Sequence, residues 1–257
     1  MNRFVVFVLG IALITSLACQ VLTPEPKLLI PPISACHDIV TAMGEIQPTD
    51  IPKNLLESGV KQGNEFDVNR YFSILNHLSM QEGYVLDYVY PVGGIGAGPV
   101  LYTRLSTDTP YKSAGEIPES AKRANYQERL VIDDSGRGYF ESVVMDIMAD
   151  QFYLYWHANY NDVQIICDKT DVSAIVNAVN NGDFGMKFSL DQQLRARLLT
   201  NIEPTVELSG DKAIVKVVVF TKWGGFFQRI YTINRVFPHR LEMRDKNILK
   251  YDCGVMF

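Results

Sequence analysis

Three β-rich runs punctuated by glycine turns occupy the C-terminal part of the chain, and they restrict the possible folds more than any other stretch. Thr205 to Leu208, Ala213 to Thr221 and Phe226 to Arg235 are rich in β-branched and aromatic residues, with Gly210-Asp211 and Gly224-Gly225 between them. Such side chains suit a pleated, half-buried surface and glycine permits tight reversals, so this part predicts an antiparallel meander. The remainder shows neither a regular strand–helix–strand rhythm nor a repeat of fixed period. The class that follows is α+β: a mostly antiparallel sheet with about three helices packed on it and a C-terminal β-meander.

Asp67 is an N-cap residue in front of Val68 to Leu78, where Val68, Tyr71, Phe72, Leu75 and Leu78 recur at helical spacing and predict a helix. Asp171 to Val179 reads as a second helix. Leu190 to Leu199 is a third, announced by Ser189 and Gln192 at capping-box spacing. Gly83 to Tyr90 and Val100 to Leu105 read as strands on either side of a glycine-rich loop from Pro91 to Pro99. Arg129 to Asp133 is a strand leading into a turn, and Tyr139 to Asp150 has a period that fits helix or strand. Phe152 to Tyr160 alternates as a strand does, and Val163 to Cys167 is a short apolar run.

The N-terminus has a different texture. Asn2-Arg3 is followed by an uncharged apolar run of 14 residues, Phe4 to Leu17. A signal-peptide core needs about 7 to 15 apolar residues and a spanning helix about 20, so the run predicts a signal segment over residues 1–19. Residues 20–34, with Pro24, Pro26, Pro31 and Pro32, read as an extended tether, and residues 35–257 as a single globular domain. At ~3.1 Å per residue the tether would reach on the order of 40 Å. Ser16-Leu17-Ala18-Cys19 resembles the lipobox of bacterial lipoproteins, in which a small residue precedes a cysteine that becomes diacylated; Leu17 stands one place nearer the cysteine than that family's usual leucine. The resemblance implies lipidation of Cys19, a membrane partner through an N-terminal lipid anchor, and a place in the cell envelope outside the cytoplasm. Ser16 and Ala18 also satisfy ordinary signal cleavage, which gives a secreted protein instead.

With Cys19 lipidated, Cys36, Cys167 and Cys253 leave one disulfide and one odd cysteine, and the expected pair is Cys167 with Cys36 or with Cys253. The formal charge is −5, and its short basic clusters form no stripe, so no nucleic-acid partner is expected.

The familiar catalytic patterns are absent. Gly93, Gly94, Gly96 and Gly98 are followed by Pro99 and a β pattern rather than a helix, which removes the phosphate-loop reading. His37, His77, His157 and His239 do not share the spacing of a metal-binding helix or strand pair, no H-E-x-x-H or C-x-x-C occurs, and neither a metal nor a cofactor is expected. His37 beside Cys36 is a poor nucleophile pair because adjacent residues seldom face each other, and no G-x-S-x-G elbow is present. Asp133-Asp134, Asp146 and Asp150 are the acids from which a hydrolytic carboxylate pair would be drawn.

A strand over Phe152 to Tyr160 would put Tyr153, Tyr155, His157 and Asn159 on one face, a mixture of apolar bodies and polar tips of the kind that orients ligands. These four are the candidate ligand-binding residues. Lys222 to Phe227 places Trp223, Phe226 and Phe227 around a turn, either folded onto the core or forming an exposed tip. The function that follows is an exported, lipid-anchored binding or structural module rather than an enzyme; the alternative is an exported hydrolase with an Asp/His-based site.

Overall fold

The glycine-bounded C-terminal runs form the antiparallel meander, and it has a fourth strand. A computed structural model describes residues 28–30, 33–93, 96–118, 126–156, 163–182 and 185–254. The signal segment, Cys19 and most of the expected tether lie outside the described residues. In chain order the strands are β1 (Leu28–Ile30), β2 (Leu78–Met80), β3 (Tyr84–Val89), β4 (Gly96–Ala97), β5 (Val100–Leu105) and β6 (Leu130–Ile132). They continue as β7 (Tyr155–Trp156), β8 (Gln164–Ile166), β9 (Thr205–Ser209), β10 (Lys212–Thr221), β11 (Gly225–Asn234) and β12 (Leu241–Lys250). The helices are α1 (Cys36–Ile46), α2 (Lys53–Ser58), α3 (Gly136–Met148), α4 (Lys169–Asn181) and α5 (Leu190–Arg197).

The main sheet runs β1-β9-β10-β11-β12, all antiparallel. β11 pairs with β10 from Lys212 to Thr221. On the opposite edge β9 pairs with Lys212 to Lys216 and β8 with Val218 to Phe220, so two strands share one side of β10. Leu28–Ile30, inside the span read as tether, is extended and paired with Val206 to Leu208. Gly225 opens β11 at φ +94, and a Cβ there would come within 2.2 Å of the Leu249 carbonyl oxygen; only glycine allows the β10–β11 turn to lie this close to β12.

Burial along β10 shows how the layers are arranged. In its first half Ala213 and Val215 are buried while Lys216 is exposed, the alternation of a sheet with one wet face. From Val217 to Phe220 every residue is buried. Val215, Val217 and Val219 pack with Tyr139, Phe140, Val143 and Val144 of α3 in the larger core. Val218 and Phe220 point the other way into a second core with Val172, Ile175 and Val176 of α4 and Ala196 of α5. α3 has buried residues on every side, including Glu141, whose carboxylate accepts from the His77 N–H and from Arg137 Nε. A helix buried all round has no single apolar stripe, which explains why its sequence period is ambiguous.

α4 and α5 arise where the sequence places them. α5 carries the expected capping box: the Ser189 hydroxyl accepts from the Gln192 N–H, and the Gln192 side chain accepts from the Ser189 N–H. β3 and β5 pair over their whole length.

Two expectations are corrected. Val68 to Leu78 does not form an α-helix: Val68–Ser73 is a 3-10 stretch capped by Asp67, and Leu78 begins β2, paired with β6. Val68, Tyr71, Leu75 and Leu78 are buried as the spacing requires, but pairing to β6 and the bond from the His77 N–H to buried Glu141 replace further helical turns. Nor does a strand begin at Phe152. Tyr153 lies at φ +52, which breaks the alternation and buries both Phe152 and Tyr153 in the larger core, and the strand is confined to Tyr155–Trp156, paired with β4 of the glycine-rich loop.

Candidate functional site

The described residues enclose a cleft of about 370 Å³ between the segment from Lys61 to Asn69, strand β3 and the turn from Thr109 to Lys112. Its walls are pinned by hydrogen bonds. Gly59 at φ +67 ends α2 in the left-handed conformation, and the Lys61 N–H then donates to the Lys112 carbonyl. The Glu65 carboxylate accepts from Asn54 Nδ2 and from the N–H groups of Gln62 and Gly63. Burial raises the Glu65 carboxyl, but those backbone and side-chain donors outweigh it and leave it below its ordinary value. Asn69 ties the segment to the sheet, donating from Nδ2 to the Leu86 carbonyl and accepting from the Leu86 N–H.

Asp87 of β3 is the electrostatic centre. Lys61 Nζ donates to its Oδ1, and Arg104 Nε of β5 donates to its Oδ2 at 2.8 Å. Lys61 Nζ also donates to the Tyr88 carbonyl at 2.8 Å and lies 4.4 Å from the centre of the Tyr88 ring. The three side chains are 11%, 11% and 18% exposed for Lys61, Asp87 and Arg104, so two cations share one carboxylate at the edge of the protein interior. Burial by itself raises the Asp87 carboxyl; hydrogen bonds from Arg104 and Lys61 more than reverse this and hold it below the usual carboxylate range. Phe66, Val85, Leu86, Pro110 and Tyr111 supply the apolar lining. A cavity of this size with an apolar lining and a few converging charges fits a small amphipathic ligand.

A second cavity, of about 310 Å³, is lined by Pro99, Val100, Leu101, Tyr126, Gln127, Asp146 and Asp150. Asp146 accepts from Gln127 Nε2. Burial raises the Asp146 carboxyl against the hydrogen bond from Gln127; burial and the nearby Asp146 charge raise Asp150. Two of the four acids singled out in the sequence therefore share one recess.

The other two are structural. Asp133 accepts from the Ser135 hydroxyl at 2.6 Å and lies 2.5 Å from His77 Nδ1. Asp134 takes both arms of Arg235 at 2.8 Å and the Tyr139 hydroxyl at 2.7 Å; the Arg235 bonds bring its carboxyl down to about 2. These pairs fasten the start of α3 to the far end of β11. His77 and Ser135 do not form a nucleophile–base pair, since Ser135 Oγ and Asp133 both sit at Nδ1, with Ser135 Oγ at 3.3 Å.

The four sequence-named ligand residues are not brought together. Tyr153 is buried, its hydroxyl accepting from the Phe66 N–H and its carbonyl from the Tyr90 hydroxyl. Tyr155 is exposed and lines neither cavity. His157 and Asn159 lie outside the described residues. At the β10–β11 turn Phe226 is fully buried and Trp223 packs half-buried against the second core, so that tip is folded down. Cys36 and Cys167 form a disulfide with their Cα atoms 5.6 Å apart, and Cys253 is free and buried. His37 Nε2 lies 3.2 Å from Asp171 Oδ1 beside that bridge, a grouping that no local spacing announces.

Sequence reasoning missed Lys61, Asp87 and Arg104 because they are scattered singly through unremarkable stretches. One signal was present: Asp87 interrupts a strand of otherwise apolar and tyrosine residues, where a charge needs a partner. No family model, no curated protein and no solved structure matches this chain.

Proposed function

We propose that this chain is an exported, lipid-anchored binding module that takes a small ligand with an apolar body and one anionic head into the cleft at Asp87. The observation that carries the reading is the two-to-one arrangement of Lys61 and Arg104 around Asp87, in which both cations keep unspent donors on a half-apolar floor. Among the described residues Lys61 spends two of its three ammonium hydrogens, on Asp87 and Tyr88, and Arg104 spends its donors on Asp87, Leu105 and Asp108 without exhausting its five. A ligand carboxylate or phosphate takes the remainder. The pinned walls mean that little ordering is required on binding.

The test is a thermal-shift and calorimetric screen of small carboxylates and phosphates bearing apolar tails. Binders are expected, and Lys112→Glu, a reversal on the exposed rim, is expected to weaken them a few-fold to ~10-fold while leaving the fold intact. A screen without binders, or binders indifferent to Lys112→Glu, overturns the assignment. The hydrolase reading is favoured by one observation, the raised carboxyls of Asp146 and Asp150 in a shared recess. Running the same screen with chromogenic esters, phosphates and glycosides decides it: turnover that Asp146→Asn abolishes makes the chain a hydrolase.

The anchor is tested separately. The intact mass of protein from its native membrane fraction is expected to match a chain beginning at Cys19 and carrying diacylglycerol. An unmodified chain from Cys19 makes it secreted, and a chain retaining Met1 makes Phe4 to Leu17 an anchor.

A further inference from the structure

The N-termini of two long helices meet at the disulfide. Cys36 is the first residue of α1, and Cys167 stands just before Asp168, the N-cap of α4. His37 follows Cys36 and presents Nε2 to the start of α4, 3.2 Å from Asp171 Oδ1 and 3.9 Å from Asp168 Oδ2. A ligating nitrogen or oxygen of His37 and Asp171, together with the sulfur of Cys167, falls within 4.8 Å of the others, and the Cys36 sulfur is bonded to that of Cys167. The donor types are two sulfurs, one imidazole nitrogen and one carboxylate oxygen.

We infer that reduction of Cys36–Cys167 opens a four-ligand site for a zinc-like divalent cation, made by both cysteine sulfurs, His37 Nε2 and Asp171 Oδ1. The dimensions fit. With zinc–nitrogen and zinc–oxygen bonds of ~2.0–2.2 Å, tetrahedral geometry separates those two donors by about 3.4 Å, close to the 3.2 Å between His37 and Asp171. Asp171 is already held for the role: its Oδ2 accepts from the N–H groups of Cys167 and Asp168, which turns Oδ1 to His37. Such outer contacts orient metal ligands. The partial positive charge at two helix N-termini favours anionic sulfur over neutral sulfur. The His37 and Asp171 side chains are 49% and 26% exposed, which provides the entry path, while the cysteines lie underneath.

The chemistry balances. A dithiol delivers two electrons and two protons to the disulfide and is itself oxidised to a disulfide; the two cysteine thiols then release two protons as the cation binds. In the oxidised chain the sulfurs are poor donors and only His37 and the carboxylates remain, so affinity for the cation follows the state of the bridge.

Cobalt(II) is the probe, titrated anaerobically into the chain from residue 20 onward, once oxidised and once reduced with a phosphine. The reduced protein is expected to bind one equivalent with thiolate-to-cobalt charge transfer and the intense visible bands of tetrahedral cobalt. His37→Ala, at a half-exposed position that does not threaten the fold, is expected to weaken binding by more than the ~10–100-fold that outer-shell changes cost. Cys253→Ser is expected to change nothing. A reduced protein without the thiolate band, equal affinity in the oxidised protein, indifference to His37→Ala, or loss of the band in Cys253→Ser overturns the site.

Discussion

Cys36→Ser with Cys167→Ser is expected to lower the free energy of unfolding by about 5 kcal/mol. The bridge spans 131 residues, and closing a loop of that length removes about 5 kcal/mol of chain entropy from the unfolded state; native bridges of this kind contribute ~2–5 kcal/mol on measurement. For a domain of this size that corresponds to a fall in Tm of roughly 10–20 °C. Denaturant midpoints measured with and without a phosphine reductant check it, and a midpoint that does not move refutes it. A thiol count in denaturant, without reductant, on the chain from residue 20 onward should find one reactive cysteine, Cys253. Three would show that the pair is not formed.

Asp87→Asn is the second large effect, at about 3–5 kcal/mol of lost stability. The substitution keeps the shape of the side chain but leaves Lys61 and Arg104 as two neighbouring cations, both mostly withdrawn from water, with no carboxylate between them. The pH dependence gives an independent readout. The folded-state value of Asp87 lies below its unfolded value of ~3.9, so the unfolded chain takes up the proton more readily. The contribution is therefore complete above that value and is lost as pH falls through the lower folded one. Glu65, Asp133 and Asp134 shift the same way and share the acid limb. Asp87→Asn should unfold in acid with one fewer proton taken up than the parent, and an unchanged acid limb would mean that the carboxylate is not the partner of these cations.

What could be read from the residues was what depends on neighbours in sequence. The meander, the β3–β5 pair and the capping box at Ser189 are written in local periods and turns. β12 escaped because, as an edge strand, it exposes residues on both faces: Glu242 to Asn247 are all exposed, so no alternation survives in the sequence, and its charges suit an edge that must not recruit another chain. α1 escaped because Ala35 offers no side-chain cap, so nothing announces its start. The candidate cleft escaped for a different reason. Lys61, Asp87 and Arg104 are 26 and 17 residues apart, and the β3–β5 register and the Lys61–Lys112 backbone bond bring them together. The disulfide partner of Cys167 was undecided between two cysteines because parity says how many pair and not which.

β10 couples the two halves of the molecule. One backbone carries Val217 and Val219 for one core and Val218 and Phe220 for the other. Neither core can come apart without withdrawing a wall from its neighbour, so α3 on one side and α4 with α5 on the other are expected to unfold together even though their side chains occupy separate clusters. Destabilising either core is then expected to be felt on both sides of the strand, at the recess by Asp146 as well as at the cysteine pair.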